Sequence, residues 1–212
     1  MMGKKILASA CLSLAATIGM TSMVSADGHE ATAKDLLEIE NLAYCYALGA
    51  DAIGNGKVES DPLAAGLAIY EECFAEDATF GIWPAGMPFN SLSFPDRTGD
   101  MPPAIVIEGR EAFAGMVNGS FSGAGGGDGY DFVQHNMTNV QIEADAEKGQ
   151  LNAYLASVHV IHGEPGSPMR CRQQANGTYS MKVKKMDGVW KVTSLDLAQI
   201  AFDTIIENGK GC

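Results

Sequence analysis

Basic residues are scarce in this chain and form no cluster: 14 Lys and Arg stand against 26 Asp and Glu, for a formal net charge of −12. That field repels phosphate backbones and anionic lipid surfaces, which makes nucleic acid and membranes poor partners. Cofactor and nucleophile motifs are lacking as well. No serine or cysteine sits in a nucleophile elbow, and there is neither a dinucleotide fingerprint nor a His-Glu-x-x-His zinc helix. The glycine-rich run 119–129 lacks the Gly-Lys-Ser/Thr ending of a phosphate cradle and reads as a flexible loop. No two of the five cysteines share a short metal-ligand spacing. With cofactors and metals given no place, cofactor-free acid–base chemistry on a small-molecule substrate is the enzymatic reading that survives.

The one long uncharged run, Ile6 to Val24, follows Lys4-Lys5 and ends at Val24-Ser25-Ala26 before Asp27. These are the parts of a secretory signal peptide. They predict a leader over 1–26, a mature domain over 27–212 and a periplasmic or secreted location. Removing the two lysines takes the net charge to −14. The remaining length suits one compact domain.

Apolar spacing predicts a helix over Ala33–Ala52, broken by Gly54-Asn55-Gly56, and a second over Pro62–Phe74. A short strand, Ala78–Trp83, precedes a loop holding Pro84, Pro88, Pro95, Pro102 and Pro103, and a third helix starts near Gly109. Strands are expected over Phe132–Glu143, Gln150–Ile161, Gly177–Met186 and Val189–Leu197, then a closing helix over Gln199–Glu207. The last two strands flank Asp187-Gly188, a pair that tolerates the positive φ of a tight hairpin turn. Helices first and a meander of strands last give an α+β domain, a curved antiparallel sheet wrapped around a helix layer.

His135 is the leading candidate for chemistry, because imidazole titrates near neutrality and the start of a strand can aim it into such a cone. A histidine hydrogen-bonded only for structure is the alternative. Asp51 lies at the C-terminal end of the first helix, where the dipole disfavours a carboxylate, so it is either solvated or placed for use. Tyr46 lies near the same end. His159 and His162 are three apart on one strand and face opposite sides, so they cannot share a metal. His159 lies on the face of Leu155, Ser157 and Ile161, and Tyr179 on that of Met181 and Val183. Tyr179, His159 and Trp83 complete the candidate binding set.

Five motifs, Tyr46-Ala-Leu-Gly-Ala-Asp51, Phe74-Ala-Glu-Asp77-Ala, Glu108-Gly-Arg-Glu-Ala, Gln134-His135 and Lys184-Lys-Met-Asp-Gly-Val-Trp-Lys191, occur in an order that resembles the SnoaL-like, scytalone dehydratase-like branch of the nuclear transport factor 2-like superfamily. The resemblance covers nearly all of Ala33–Leu197. It implies a cone-shaped α+β fold, a dimer or trimer, and an aspartate on the first helix that orients a catalytic histidine. Asp51 and His135 match those positions, and a second histidine falls near His159–His162. The tyrosine expected before the aspartate is Ala50 here, with Tyr46 one turn earlier, and the polar pair expected on the penultimate strand falls near Gly177 and Tyr179.

The resulting expectation is a cofactor-independent lyase (dehydratase-like) or isomerase acting on a small apolar cyclic or aromatic molecule. His135, Asp51 and Tyr46 form its catalytic set. The alternative is an exported, non-catalytic binding protein for a small hydrophobic ligand. Among the cysteines left after Cys11, Cys171 and Cys212 lie in a loop and at the tail and are the expected disulfide. Cys45 and Cys73 are placed late on antiparallel helices, hence at opposite ends, and are expected as buried thiols.

Overall fold

A computed structural model describes residues 30–56, 58–86, 102–122, 129–162 and 169–206. The leader, most of the proline-rich loop, positions 123–128 and Cys212 lie outside the described residues. Three helices, α1 (Ala33–Gly54), α2 (Pro62–Cys73) and α3 (Arg110–Phe121), accompany β1 (Phe74–Trp83), β2 (Ile105–Glu108), β3 (Phe132–Ala144), β4 (Lys148–His162), β5 (Met169–Met186) and β6 (Val189–Ile206). The strands form one curved, unclosed sheet in the order β2-β1-β6-β5-β4-β3. All neighbours are antiparallel except β1 and β6, which run parallel.

Local chemistry fixes the ends of these elements. Thr32 caps α1 in a reciprocal capping box with Asp35. The same Asp35 carboxylate accepts from Lys185 Nζ at 2.6 Å and Trp190 Nε1 at 2.9 Å, which ties the start of α1 to the β5–β6 hairpin. At the hairpin tip Asp187 (φ 51°) and Gly188 (φ 83°) both take the positive φ that the sequence signal implied, with Met186 paired to Val189. Between sheet and helices lies a core of Ile39, Ala43, Phe74, Phe80, Leu151 and Met181, among others.

α1 and α2 pack unusually close because glycines remove side chains at their contact. A Cβ on Gly49 would stand 2.2 Å from the Tyr70 ring, and one on Gly66 would stand 2.2 Å from Ile53. The same antiparallel register sets Cys45 opposite Cys73, with Cα atoms 6.2 Å apart, and the two form a disulfide. This corrects the expectation of free thiols. Cys45 is not late in its helix: α1 runs nine residues beyond it, and α2 brings Cys73 eleven residues past its start, so the two thiols are level. Cys171 is also disulfide-bonded; its expected partner Cys212 is outside the described residues.

The second correction concerns the end of the chain. Residues 199–206 continue β6 as strand rather than turning into a helix. They pair with 171–177 of β5, a polar stretch that gave no strand signal alone and that starts β5 eight residues before the expected Gly177. β2 was likewise unexpected; it is a four-residue edge strand on β1.

Candidate active site

The lower turns of α1 lie against β3, and Gly54 allows the contact: a Cβ there would meet Val133 Cγ2 at 2.4 Å. One turn before Gly54 is Asp51, and two residues after Val133, on the same side of the strand, is His135. Asp51 Oδ1 therefore accepts two hydrogen bonds from His135, from the backbone N–H and from Nδ1, both at 2.8 Å. A carboxylate only accepts, so Nδ1 carries a proton, and in the neutral ring Nε2 is the nitrogen with the lone pair. The His135 side chain is 5 % exposed and lines an open-mouthed cavity of about 180 Å³ between α1, α3 and the sheet. Asp51 does not reach the cavity; it stands behind His135.

Tyr46 and Tyr179 form the inner wall. Their hydroxyls are hydrogen-bonded to each other, and their rings are 4.7 Å apart. Of the two phenolic protons, one is committed to this bond and the other is free to donate. Burial raises both hydroxyls well above the usual tyrosine range, so they stay protonated and serve as donors rather than bases. The Tyr46 ring meets that of His135 edge-on at 6.0 Å, and both residues line the cavity.

His159 stands beside His135 on the neighbouring strand β4, the two rings 5.6 Å apart. Neither ring nitrogen has a hydrogen-bond partner among the described residues. Burial, reinforced by nearby His135, pushes its pKa down to about 3, so it is a neutral imidazole with a donor and an acceptor both unused. The remaining lining is largely apolar and aromatic, including Phe113, Phe121, Leu155 and Leu195. An apolar cavity of about 150 Å³ holds a benzene-sized molecule, so this one has room for a single six-membered ring and its substituents.

The structure thus brings His135, Tyr46, Tyr179 and His159 together around one space, with Asp51 behind His135. Trp83 is not with them. Ile82 lines the cavity, and alternation along β1 turns Trp83 to the other side of the sheet, where it packs by Gly81. A strand-end aromatic beside a long loop gave no indication of which face it would take. His162 follows an irregularity in the β4–β5 pairing, and its side chain lies outside what is described. Sequence reasoning missed Phe121 and Tyr130, which border the loop around 123–128; their signal is only their place next to an aromatic-rich pocket. Among the described residues, no three or more His, Cys, Asp or Glu side chains group as a metal site, and no helix is long and apolar enough to cross a membrane.

A SnoaL-like domain model matches residues 31–196. The chain belongs to the SnoaL-like family. No curated protein matches this SnoaL-like protein in sequence. Solved structures resemble it more distantly. A candidate aromatic ring hydroxylase from Novosphingobium aromaticivorans is 18 % identical, with 85 % of this chain and 100 % of the other covered and a TM-score of 0.56. A hexachlorocyclohexane dehydrochlorinase (LinA) of type 2 is 16 % identical, with coverages of 84 % and 94 % and a TM-score of 0.51. A candidate scytalone dehydratase from N. aromaticivorans is 16 % identical, with coverages of 84 % and 90 % and a TM-score of 0.50. At such identities the likeness speaks for the fold, and the chemistry has to be argued from the site.

Proposed function

We propose that this SnoaL-like protein is a cofactor-independent lyase of the dehydratase type, or an isomerase, acting on a small cyclic molecule by acid–base chemistry. The carrying observation is the Asp51–His135 pair, which commits Nδ1 to the carboxylate and makes Nε2 the basic nitrogen of the neutral ring, in a side chain that lines the cavity. For a β-hydroxy ketone, Nε2 removes the proton α to the carbonyl while Asp51 stabilises the imidazolium. The spare phenolic proton of the Tyr46–Tyr179 pair hydrogen-bonds the developing enolate oxygen. The C–H electrons form the double bond, and the hydroxyl leaves as water with the proton that His135 has taken. Returning that proton to a different carbon instead gives isomerisation. The dehydrochlorinase and dehydratase names among the structural relatives fit the same elimination step.

A non-catalytic carrier would use the same apolar cavity. It would have no need for a carboxylate held behind a wall histidine in a way that fixes the tautomer, and that favours the enzyme. The test is a screen of cyclic hydroxy ketones and halogenated rings for elimination or isomerisation products. On a turned-over compound, His135→Ala should lower kcat by about 10²–10⁴-fold with the fold intact, and Asp51→Asn should lower it with little change in KM. Loss below about threefold in His135→Ala would remove this residue from the mechanism.

We also propose that the protein is exported and forms a homo-oligomer. The Lys4-Lys5 leader pattern and the Cys45–Cys73 disulfide support export, since disulfides persist in oxidising compartments. Self-association follows from the family resemblance alone.

A further inference from the structure

The cavity opens where Tyr130 and Phe202 line it: Phe202 is 42 % exposed, and Tyr130 is partly buried. The backbone of Tyr130 is pinned on both sides. Its N–H donates to Phe121 O at 2.9 Å, at the end of α3, and the next N–H, of Asp131, donates to Val160 O at 2.8 Å on β4. Gly129 is pressed against the same helix end, where a Cβ would stand 2.9 Å from the Ser122 carbonyl carbon. Any movement at this point therefore belongs to the Tyr130 side chain.

That side chain is itself held. The Tyr130 hydroxyl donates to Gln173 Oε1, and the Gln173 amide donates on to Thr204 Oγ1 at 3.3 Å. Gln173 pairs in register with both His159 and Thr204, so the three form a row across β4, β5 and β6. The Tyr130 ring lies over the inner end of this row, 4.8 Å from the His159 ring and 5.8 Å from Phe121. The bonded hydroxyl draws the ring across the opening and closes the space above His159.

We infer that Tyr130, latched by Gln173, is the specificity-determining residue of the mouth: it limits the occupant to one ring and rejects fused-ring molecules. A cavity of about 180 Å³ takes a single ring and its substituents while the latch is shut. Opening it swings an aromatic ring out of the way and extends the space toward Phe202, at the cost of one hydrogen bond. This rests on the reading of the cavity as the ligand site but not on catalysis, so it is tested by binding alone.

Calorimetric titration with phenol and with 2-naphthol as probes measures the preference. The wild-type protein should bind phenol at least tenfold more tightly than 2-naphthol. Tyr130→Phe keeps the ring and removes one oxygen; Gln173→Leu removes the acceptor from the other side. Each should reduce the preference for phenol at least fivefold, and the double variant should shift it no further, since both delete the same bond. Phenol binding with the preference unchanged in either variant overturns the latch and leaves the cavity reading standing. A wild type that binds neither probe overturns both, and one that binds the two probes within tenfold of each other overturns the size limit.

Discussion

His159 is stored in the cavity wall as a neutral ring with no hydrogen-bond partner among the described residues, and this leaves a thermodynamic trace. Its pKa falls from 6.5 to about 3 in the folded protein, so between those values the unfolded chain binds a proton that the folded one refuses. Stability then rises with pH across that window and is lost on acidification, by up to about 1.4 kcal/mol per pH unit where the difference is a full proton. The Asp35 carboxyl, held well below the usual range chiefly by Lys185 and then by Thr32 and Trp190, adds to acid sensitivity only nearer pH 4 and below. Urea denaturation of His159→Phe at pH 4.5 to 6 should therefore show a flatter slope than the wild type. An unchanged slope would mean that His159 keeps an ordinary pKa.

At the scale of elements, the bridge joins α1 to α2 through two cysteines, Cys45 and Cys73, that are 28 residues apart in sequence. A link of that span stabilises by about 2–4 kcal/mol, mainly by restricting the unfolded chain. Cys45→Ala/Cys73→Ala should lose that amount in denaturant titration, and non-reducing peptide mapping of the wild type should recover the linked pair. The bridge also shows which information the sequence withholds. Helix positions and the Asp187-Gly188 hairpin were legible because apolar period and turn chemistry act locally. The level of Cys45 against Cys73 depends on where α1 really ends and on Gly49 and Gly66 setting the register, which is tertiary information. β6 was cut short for a related reason: 199–206 become strand by pairing with the polar start of β5, and neither stretch announces the other. Within the site, period two along β5 indicated the inward face of Tyr179, while along β4 it showed only that His159 and His162 face opposite sides and left open which of them faces the pocket. The sequence alone left open whether Asp51 and His135 would meet, since that rests on the close approach of Gly54 to Val133.

At the scale of the whole molecule, export predicts a mature chain beginning at Asp27, and intact-mass measurement of periplasmic or secreted protein checks it; recovery of a chain that retains Met1 would count against the proposal. Such a chain has to cross a membrane before it folds, and the sheet order bears on that. The pairing that completes the sheet is between β1 and β6, whose partners, such as Phe80 and Leu195, come from opposite ends of the domain. The start of α1 likewise finds its anchors 150 and 155 residues away, at Lys185 and Trp190. Contacts of such long range make folding slow, on the scale of milliseconds to seconds rather than microseconds. Until the last hairpin has been synthesised, β1 has no β6 to pair with and the helices have only part of their floor. If the chain is exported as proposed, this topology would keep the emerging polypeptide threadable until its final strands arrive.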